Sequence, residues 1–350
     1  MFNRKQQLVG LDIGSSYVKI VQLAEKGAEF KLLNLGVVPL PSGTVKEGRV
    51  LNSEALVQCV KVLTKNLKVK EKKVASAVSG YEVMIKKLEI PVMTEEELNA
   101  RMQTELRQYI PYSLEEVDVD YEILGISKER TGNMDVLLVA AKKESIRDYV
   151  SAVEACGLNV HVLDVDYFAL NNALEMTQGF REDCLALIDI GSHKALMCIA
   201  VQGVPVFTRG LAIGGEQITE QISEQLKVTL EEAERLKLGD ASLGISTAEL
   251  ERVFVSVIQS WVGECKRAID FYHSNYPDNG LKKIYLSGGS CRLPGLEQVF
   301  REHMDVEVSI FNPLEHIQWD SNGFDGDYLN YIGPQMAIPL GLALRKTKEK

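Results

Sequence analysis

Apolar positions along the chain switch between two periods, and the switches divide it into elements. Alternation runs through Leu8 to Ile13 and through Tyr17 to Val21, on either side of Gly14-Ser15-Ser16. The same pattern returns half a chain later, in Leu185 to Ile190 and Lys194 to Ile199, around Gly191-Ser192-His193. Each copy predicts a buried strand, a tight turn reading D-I-G-S, and a second strand. A repeat at this spacing predicts two related lobes rather than a solenoid. Helical spacing then runs through Ile218, Ile222 and Leu226, and again over Thr229 to Lys237, where Thr229 and Glu232 read as a capping box. Leu281 to Gly295 reads as a strand (Ile284 to Leu286), a Gly288-Gly289 turn, and Leu-Pro-Gly ahead of a helix from near Leu296.

Between the repeats the pattern changes. Val83 to Ile90 predicts a strand stopped by Pro91, and Thr94 opens an amphipathic helix reaching about Tyr109, ended by Pro111. Val117 to Ile126 and Met134 to Ala141 predict a hairpin around Arg130-Thr131-Gly132-Asn133. Glu144 to Cys156 predicts a helix with Gly157 at its C-cap, and Val160 to Leu163 a last strand. The series β-α-β-β-α-β reads as a ferredoxin-like split unit.

The repeated turn carries candidate chemistry. An apolar strand brings Asp12, or Asp189, to its end, where a carboxylate can face a cleft and hold a hydrated Mg²⁺ that bridges phosphates. Gly14 and Gly191 let phosphate oxygens approach backbone amides, and Ser15, Ser16 and Ser192 add hydroxyls. One such turn alone is equally a plain hairpin; two with matching flanks, one in each half, favour a polyphosphate clamp. Gly288 and Gly289 would let a nucleoside lie on the main chain, with the Arg292 guanidinium on a base face, although a bland strand–turn–helix junction also accounts for the glycines. Gly214-Gly215 precede the first helix of the second half, and Glu234 and Lys237 share a helix face that could meet a ribose and a base edge, or form a solvated ion pair.

Bulk properties narrow the classes. At 350 residues the chain suits two lobes with additions. A net charge of -10, from 49 acidic and 39 basic residues, argues against a duplex-coating protein, so no nucleic-acid partner is expected. No apolar run approaches the ~18–20 residues that cross a bilayer. The basic opening, Met1 to Gln7, leads straight into a strand and does not read as a signal peptide. Six scattered cysteines without a C-x-x-C spacing read as reduced thiols in a cytoplasmic protein, and the five dispersed histidines speak against a zinc site.

The repeated D-I-G-S, the segment L-A-I-G-G-E and the segment S-G-G-S-C-R-L-P-G resemble, in order and spacing, the actin, heat-shock chaperone and sugar kinase superfamily over nearly the whole chain. The resemblance implies an α/β, duplicated actin-like (ribonuclease H-like) two-lobed ATPase fold with ATP and Mg²⁺ as cofactors. It makes Asp12, Gly14, Ser15 and Ser16 the first phosphate loop, with Lys19 also cofactor-binding, and Asp189, Gly191, Ser192 and His193 the second. Gly214, Gly215, Glu234, Lys237, Gly288, Gly289 and Arg292 would line the nucleoside side, with Asp12 and Asp189 holding magnesium through water. Asp166 falls where chaperone relatives carry a catalytic Glu, so Asp12, Asp166 and Asp189 are the catalytic candidates; Asp166 equally reads as a helix cap. No lysine of the chaperone type can be placed, so tight ATP binding with weak or absent hydrolysis is expected. Tyr331 to Gly341 resembles the second crossing helix at the hinge, whose small residues allow close packing.

The small α+β insert in the first lobe is similar to that of the FtsA/PilM branch, and the opening, L-V-G-L-D-I-G-S-S and L-E-I-P-V-M-T-E-E-E-L resemble the PilM family of type IV pilus assembly proteins. The expected division is 1–82, 157–183 and 334–350 for the first-lobe core, 83–156 for the insert, 184–212 and 280–333 for the second-lobe core, and 213–279 for its helical subdomain. The end, Leu340 to Lys350, shows no amphipathic stripe of the FtsA kind. The family implies a cytoplasmic scaffold of the pilus assembly platform, reaching the inner membrane only through partners and in indirect contact with motor proteins. Its groove between first-lobe core and insert would take the N-terminal cytoplasmic peptide of a PilN-type bitopic protein, with lining candidates in Val83 to Pro91 and Thr94 to Tyr109. Self-association is a further expected contact; an FtsA-like polymerising division or cytoskeletal ATPase and a small-molecule kinase are the rival expectations.

Overall fold

The computed structural model describes residues 8–27, 29–78, 83–127, 130–179, 183–277 and 279–346. Two five-stranded sheets have the same topology. In the first lobe β1 (Val9–Ile13), β2 (Tyr17–Lys26) and β3 (Glu29–Pro39) form an antiparallel meander. A short hairpin, β4 (Val45–Lys46) and β5 (Arg49–Val50), and helix α1 (Ser53–Asn66) lead to β6 (Lys73–Val78), which joins β1 in parallel. In the second lobe β11 (Cys184–Ile190), β12 (Ala195–Val201) and β13 (Val204–Leu211) repeat the meander, and β14 (Lys283–Ser287) joins β11 in parallel. Apolar runs with no polar face, such as Cys184 to Ile188, suit strands covered on both sides, and all five of those residues are buried.

The segment inserted after β6 contains β7 (Val83–Pro91), α2 (Glu95–Tyr109), β8 (Val117–Ile126), β9 (Asn133–Lys142), α3 (Lys143–Ala155) and β10 (Asn159–Val165). The elements occur in the order read from the sequence, but the ferredoxin-like unit does not form. Only β7, β9 and β8 make the insert's sheet, with α2 packing Leu98 and Met102 into its small core. Strand β10 leaves it to extend the first-lobe sheet beside β6, in the order β10-β6-β1-β2-β3. Helix α3 buries Tyr149, Ala152 and Val153 in the core under that sheet, against Leu56, Val60 and Leu63 of α1. Parallel pairing through a crossover is a long-range choice that element order cannot reveal.

Helix α4 (Asp166–Gln178) follows β10, and α5 (Gly215–Leu226), α6 (Leu230–Lys237) and the long α7 (Thr247–Asn275) follow β13. The chain closes with α8 (Leu296–His303), β15 (Glu307–Ile310), α9 (Gly326–Ile332) and α10 (Ala337–Ala343). With β15 beside β14, the second sheet runs β13-β12-β11-β14-β15. The capping box read at Thr229–Glu232 forms, and a second forms at Thr94–Glu97, where a helix start was read. Helices α4 and α10 cross between the sheets: a Cβ on Gly341 would lie 1.8 Å from the Ala169 carbonyl oxygen, and one on Gly10 would lie 2.0 Å from that of Pro339. These small residues therefore set the close spacing of α10 against α4 and β1. Arg345 locks the end of α10 to the buried Asp164 of β10 with two hydrogen bonds, at 2.5 and 2.8 Å. The opening residues 1–7 and the last charged residues 347–350, on which sequence expectations were placed, lie outside the described residues.

Candidate functional site

Both D-I-G-S turns adopt one backbone design. The Gly14 amide donates to the Tyr17 carbonyl at 3.0 Å, and the Gly191 amide to the Lys194 carbonyl at 2.9 Å. Among the described residues, the amides of Ser15, Ser16, Ser192 and His193 have no backbone acceptor. Two adjacent open amides on each turn are the geometry that receives phosphate oxygens.

Strand β1 carries Asp12 to its end, where Lys19 of β2 donates to the carboxylate at 2.7 Å. Register forces this meeting, since Asp12 and Lys19 are opposed across the antiparallel pair. Burial alone would lower the Lys19 ammonium, but Asp12 and then Asp189 outweigh it and hold its pKa above the ordinary value. Lys19 thus lies within electrostatic reach of a carboxylate from each lobe. Asp189 is shifted up by burial, against the pull of Lys19 and the Ser287 hydroxyl, which donates to it at 2.8 Å.

On the second lobe the expected nucleoside residues converge, in ways only partly foreseen. Gly214 and Gly215 join α5 to the second turn: the Gly215 amide donates to the Gly191 carbonyl and the Glu216 amide to that of Ser192. A Cβ on Gly214 would lie 2.3 Å from the Ser192 carbonyl oxygen, and one on Gly215 would lie 2.8 Å from the Ser290 hydroxyl. The first amides of α5 are therefore spent on fixing the turn. Ser290 donates to the Gly191 carbonyl at 2.7 Å, tying the Gly-Gly segment to the same point. Gly288, at φ 94°, packs on the Ile190 backbone, a position closed to any larger residue.

Lys237 donates to Glu234 (2.6 Å), Thr219 (2.8 Å) and the Gly215 carbonyl (3.1 Å), so the pair is a bridge between α6 and α5 rather than a solvated ion pair. Its ammonium is largely buried, while the Glu234 side chain is 44% exposed and open to a ligand. Arg292 stacks over the Tyr331 ring, 4.6 Å from its centroid, so a residue of α9 shares the guanidinium face expected for a base. His193 pairs with Glu216 at 2.9 Å. Asp166 is the first residue of α4 and not its cap; its carboxylate lies 4.0 Å from the Lys194 ammonium across the cleft.

Sequence reasoning missed Lys194, Ser287, Ser290, Thr219 and Tyr331. Lys194 directly follows the second turn and Ser287 ends the strand before the Gly-Gly segment, so their positions were available as signals. Thr219 and Tyr331 reach the site only through tertiary contact. Among the described residues no group of three or more carboxylate, imidazole or thiol side chains could ligate a metal directly. The opposed Asp12 and Asp189 instead fit magnesium, which keeps most of its waters and needs one or two carboxylates.

A cleft between two sheets of identical topology, lined by a duplicated turn, defines an actin-like fold. Comparison with known proteins assigns the branch. The model of the type IV pilus assembly protein PilM family matches residues 10–347, and the chain belongs to that family. A solved PilM-PilN type IV pilus biogenesis complex superposes with a TM-score of 0.85 at 27% identity, covering 99% of this chain and 100% of that one. Cell division protein FtsA of Bacillus subtilis is 24% identical over 393 residues, 97% of this chain and 83% of the relative. Ethanolamine utilization protein EutJ from Carboxydothermus hydrogenoformans shares the fold, with a TM-score of 0.58 at 17% identity over 97% of this chain and 89% of that one. No helix among the described residues is long and apolar enough to cross a membrane. The pilus-assembly, actin-like character expected from the sequence stands.

Proposed function

We propose that this chain binds ATP with magnesium between its two D-I-G-S turns and, so loaded, captures the N-terminal cytoplasmic peptide of a PilN-type membrane protein. The observation that carries the reading is the matched pair of turns, each with two open amides. Ser15, Ser16, Ser192 and His193 would receive the phosphates, with Lys19 balancing their charge. Asp12 and Asp189 would hold the hydrated ion, which neutralises phosphate charge when bound. Glu234, Lys237, Gly288, Gly289 and Arg292 would seat the nucleoside. Asp166, 4.0 Å from Lys194, is the candidate for orienting water, and pairing with that cation would keep turnover weak.

Support for a peptide site comes from a cavity of about 230 Å³ between the first-lobe core and the insert. Its lining includes Leu51 beyond β5, Val78 of β6, Val83 of β7 and Ile146 of α3, together with Glu47, Glu144, Asp148 and Arg49. Apolar side chains with three acidic groups against one arginine suit a segment bearing apolar and basic side chains. Of the groove candidates read from the sequence, Val83 is on this cavity and α2 is not. Capture of such a peptide would hold the protein at the cytoplasmic face of the inner membrane.

Titration of a labelled N-terminal peptide from a PilN-type protein, followed by fluorescence anisotropy with and without MgATP, tests the proposal. Saturable binding that tightens with MgATP and is lost in Ile146→Glu is the expected result. No binding under either condition, together with rapid ATP turnover, would overturn it.

A further inference from the structure

In a chain of net charge -10, one stretch is strongly basic: between residues 55 and 78 stand Lys61, Lys65, Lys68, Lys70, Lys72 and Lys73 against a single acidic residue, Glu71. The fold gathers them at one end of the first lobe. Lys61 and Lys65 share a face of α1 one turn apart. After the helix the chain folds back, with the Leu67 amide on the Leu63 carbonyl and the Val69 amide on that of Thr64, and Lys68 takes a left-handed backbone at φ 52°. The Glu71 carboxylate accepts from the Lys72 and Lys73 amides, both at 2.9 Å, so it is turned toward the main chain. Five of the six lysines are exposed, Lys73 is half-buried, and among the described residues none of the six makes an ion pair.

Lys65 complements the helix C-terminus, but Lys61 lies a turn earlier and four lie beyond it, where no helix dipole needs them. The side chains are point charges on flexible stems. Residues 55–78 include no arginine and no aromatic ring, the groups that read base edges and stack on bases. Val62, 51% exposed, lies among them. This composition fits a diffuse anionic surface better than a nucleic acid.

We propose that the lysine-rich end of α1 and the loop to β6 form a docking face for an anionic lipid bilayer. Choosing a bilayer rests in part on the PilN-type reading, because a captured bitopic partner would bring this face to a membrane. The peptide cavity lies at the N-terminal end of α1, which Leu51 closely precedes. The 14-residue helix places the basic face about 21 Å away. The contact is weak but measurable on its own, and beside a tether it acts at high effective concentration. The lysine face adds a direct contact to a membrane otherwise reached only through partners. Because β6 runs from Lys73 toward the cleft end of the sheet, the nucleotide site is remote from this face.

Flotation of the full chain, without any peptide, on vesicles of phosphatidylcholine alone and of phosphatidylcholine with phosphatidylglycerol tests the proposal. Binding is expected on the anionic vesicles only, fading as salt is raised. Each lysine near such a surface strengthens binding about fivefold, so Lys65→Glu, Lys68→Glu, Lys70→Glu and Lys72→Glu combined should weaken it at least about tenfold. The corresponding set of Lys→Gln changes should give a smaller loss in the same direction, and both variants should keep wild-type MgATP affinity and melting temperature. Equal binding by wild type and both variants, no binding of wild type to either vesicle, or tighter binding to a duplex DNA probe than to anionic vesicles would each overturn the proposal. Because no peptide is present, failure here leaves the peptide reading intact.

Discussion

The two D-I-G-S turns have the same backbone but different surroundings. On the first, Asp12 faces a lysine from the neighbouring strand; on the second, Asp189 faces the Ser287 hydroxyl of β14. The equivalent serine of the first sheet, Ser76, sits one register position earlier, opposite Leu11, and donates instead to the Leu11 carbonyl at 2.7 Å. Beyond the second turn a helix closes directly on it through Gly214 and Gly215. Beyond the first, the chain runs on through β3 into the β4–β5 hairpin that borders the peptide cavity. Duplication thus kept the turn and changed the chain beyond it. On the proposed reading, one lobe supplies the cation and the partner-facing side, and the other builds the nucleoside seat.

If that division of labour is right, the second lobe should be the more easily broken. Gly214→Val drives a side chain into the Ser192 carbonyl. It should cost more than about 3 kcal/mol of stability and abolish ATP binding, checked by thermal melting and nucleotide titration. Gly280→Ala, where a Cβ meets open space, should change neither. Lys19→Met removes the first lobe's cation from between two carboxylates and should weaken MgATP binding by roughly 30-fold, about 2 kcal/mol, measured by calorimetry. Arg345→Gln leaves the buried Asp164 carboxylate without its partner; it should cost about 2 kcal/mol of stability with MgATP affinity unchanged, which separates hinge from site.

Apart from the Gly280 control, Ser287→Ala has the smallest expected effect, and its signature is in pH. Asp189 must be ionised to hold the ion, and burial has already raised its pKa. MgATP affinity should therefore fall as pH drops through that raised value. Losing the Ser287 hydrogen bond raises the pKa further, so the variant should begin to lose affinity at a higher pH than wild type, by about threefold where the curves differ most. Stability moves the other way. With its folded pKa above the unfolded one, Asp189 takes up a proton on folding between the two values, so its contribution rises as pH falls through that window.

Much of the cleft was legible because its chemistry is local. Asp-Ile-Gly-Ser dictates its own turn, capping boxes declare helix starts, and the repeat announces two lobes. The features that escaped depend on sheet pairing. Ser287 reaches Asp189 and Ser290 reaches Gly191 across about a hundred residues, and only the parallel register of β11 and β14 aligns them. Strand β10 has the same apolar pattern whether it closes the insert or extends the first sheet, so the split unit was read where none forms. Arg292 was legible as a stacking group, but Tyr331, 39 positions later, was not legible as its partner.

The claim that both turns serve one ligand is tested most directly by a double-mutant cycle on MgATP affinity with Asp12→Asn and Asp189→Asn. If both carboxylates hold the same hydrated ion, each single change should cost at least about tenfold and the pair little more than either alone. Affinity unchanged by either substitution, or two losses that simply multiply, would contradict the clamp.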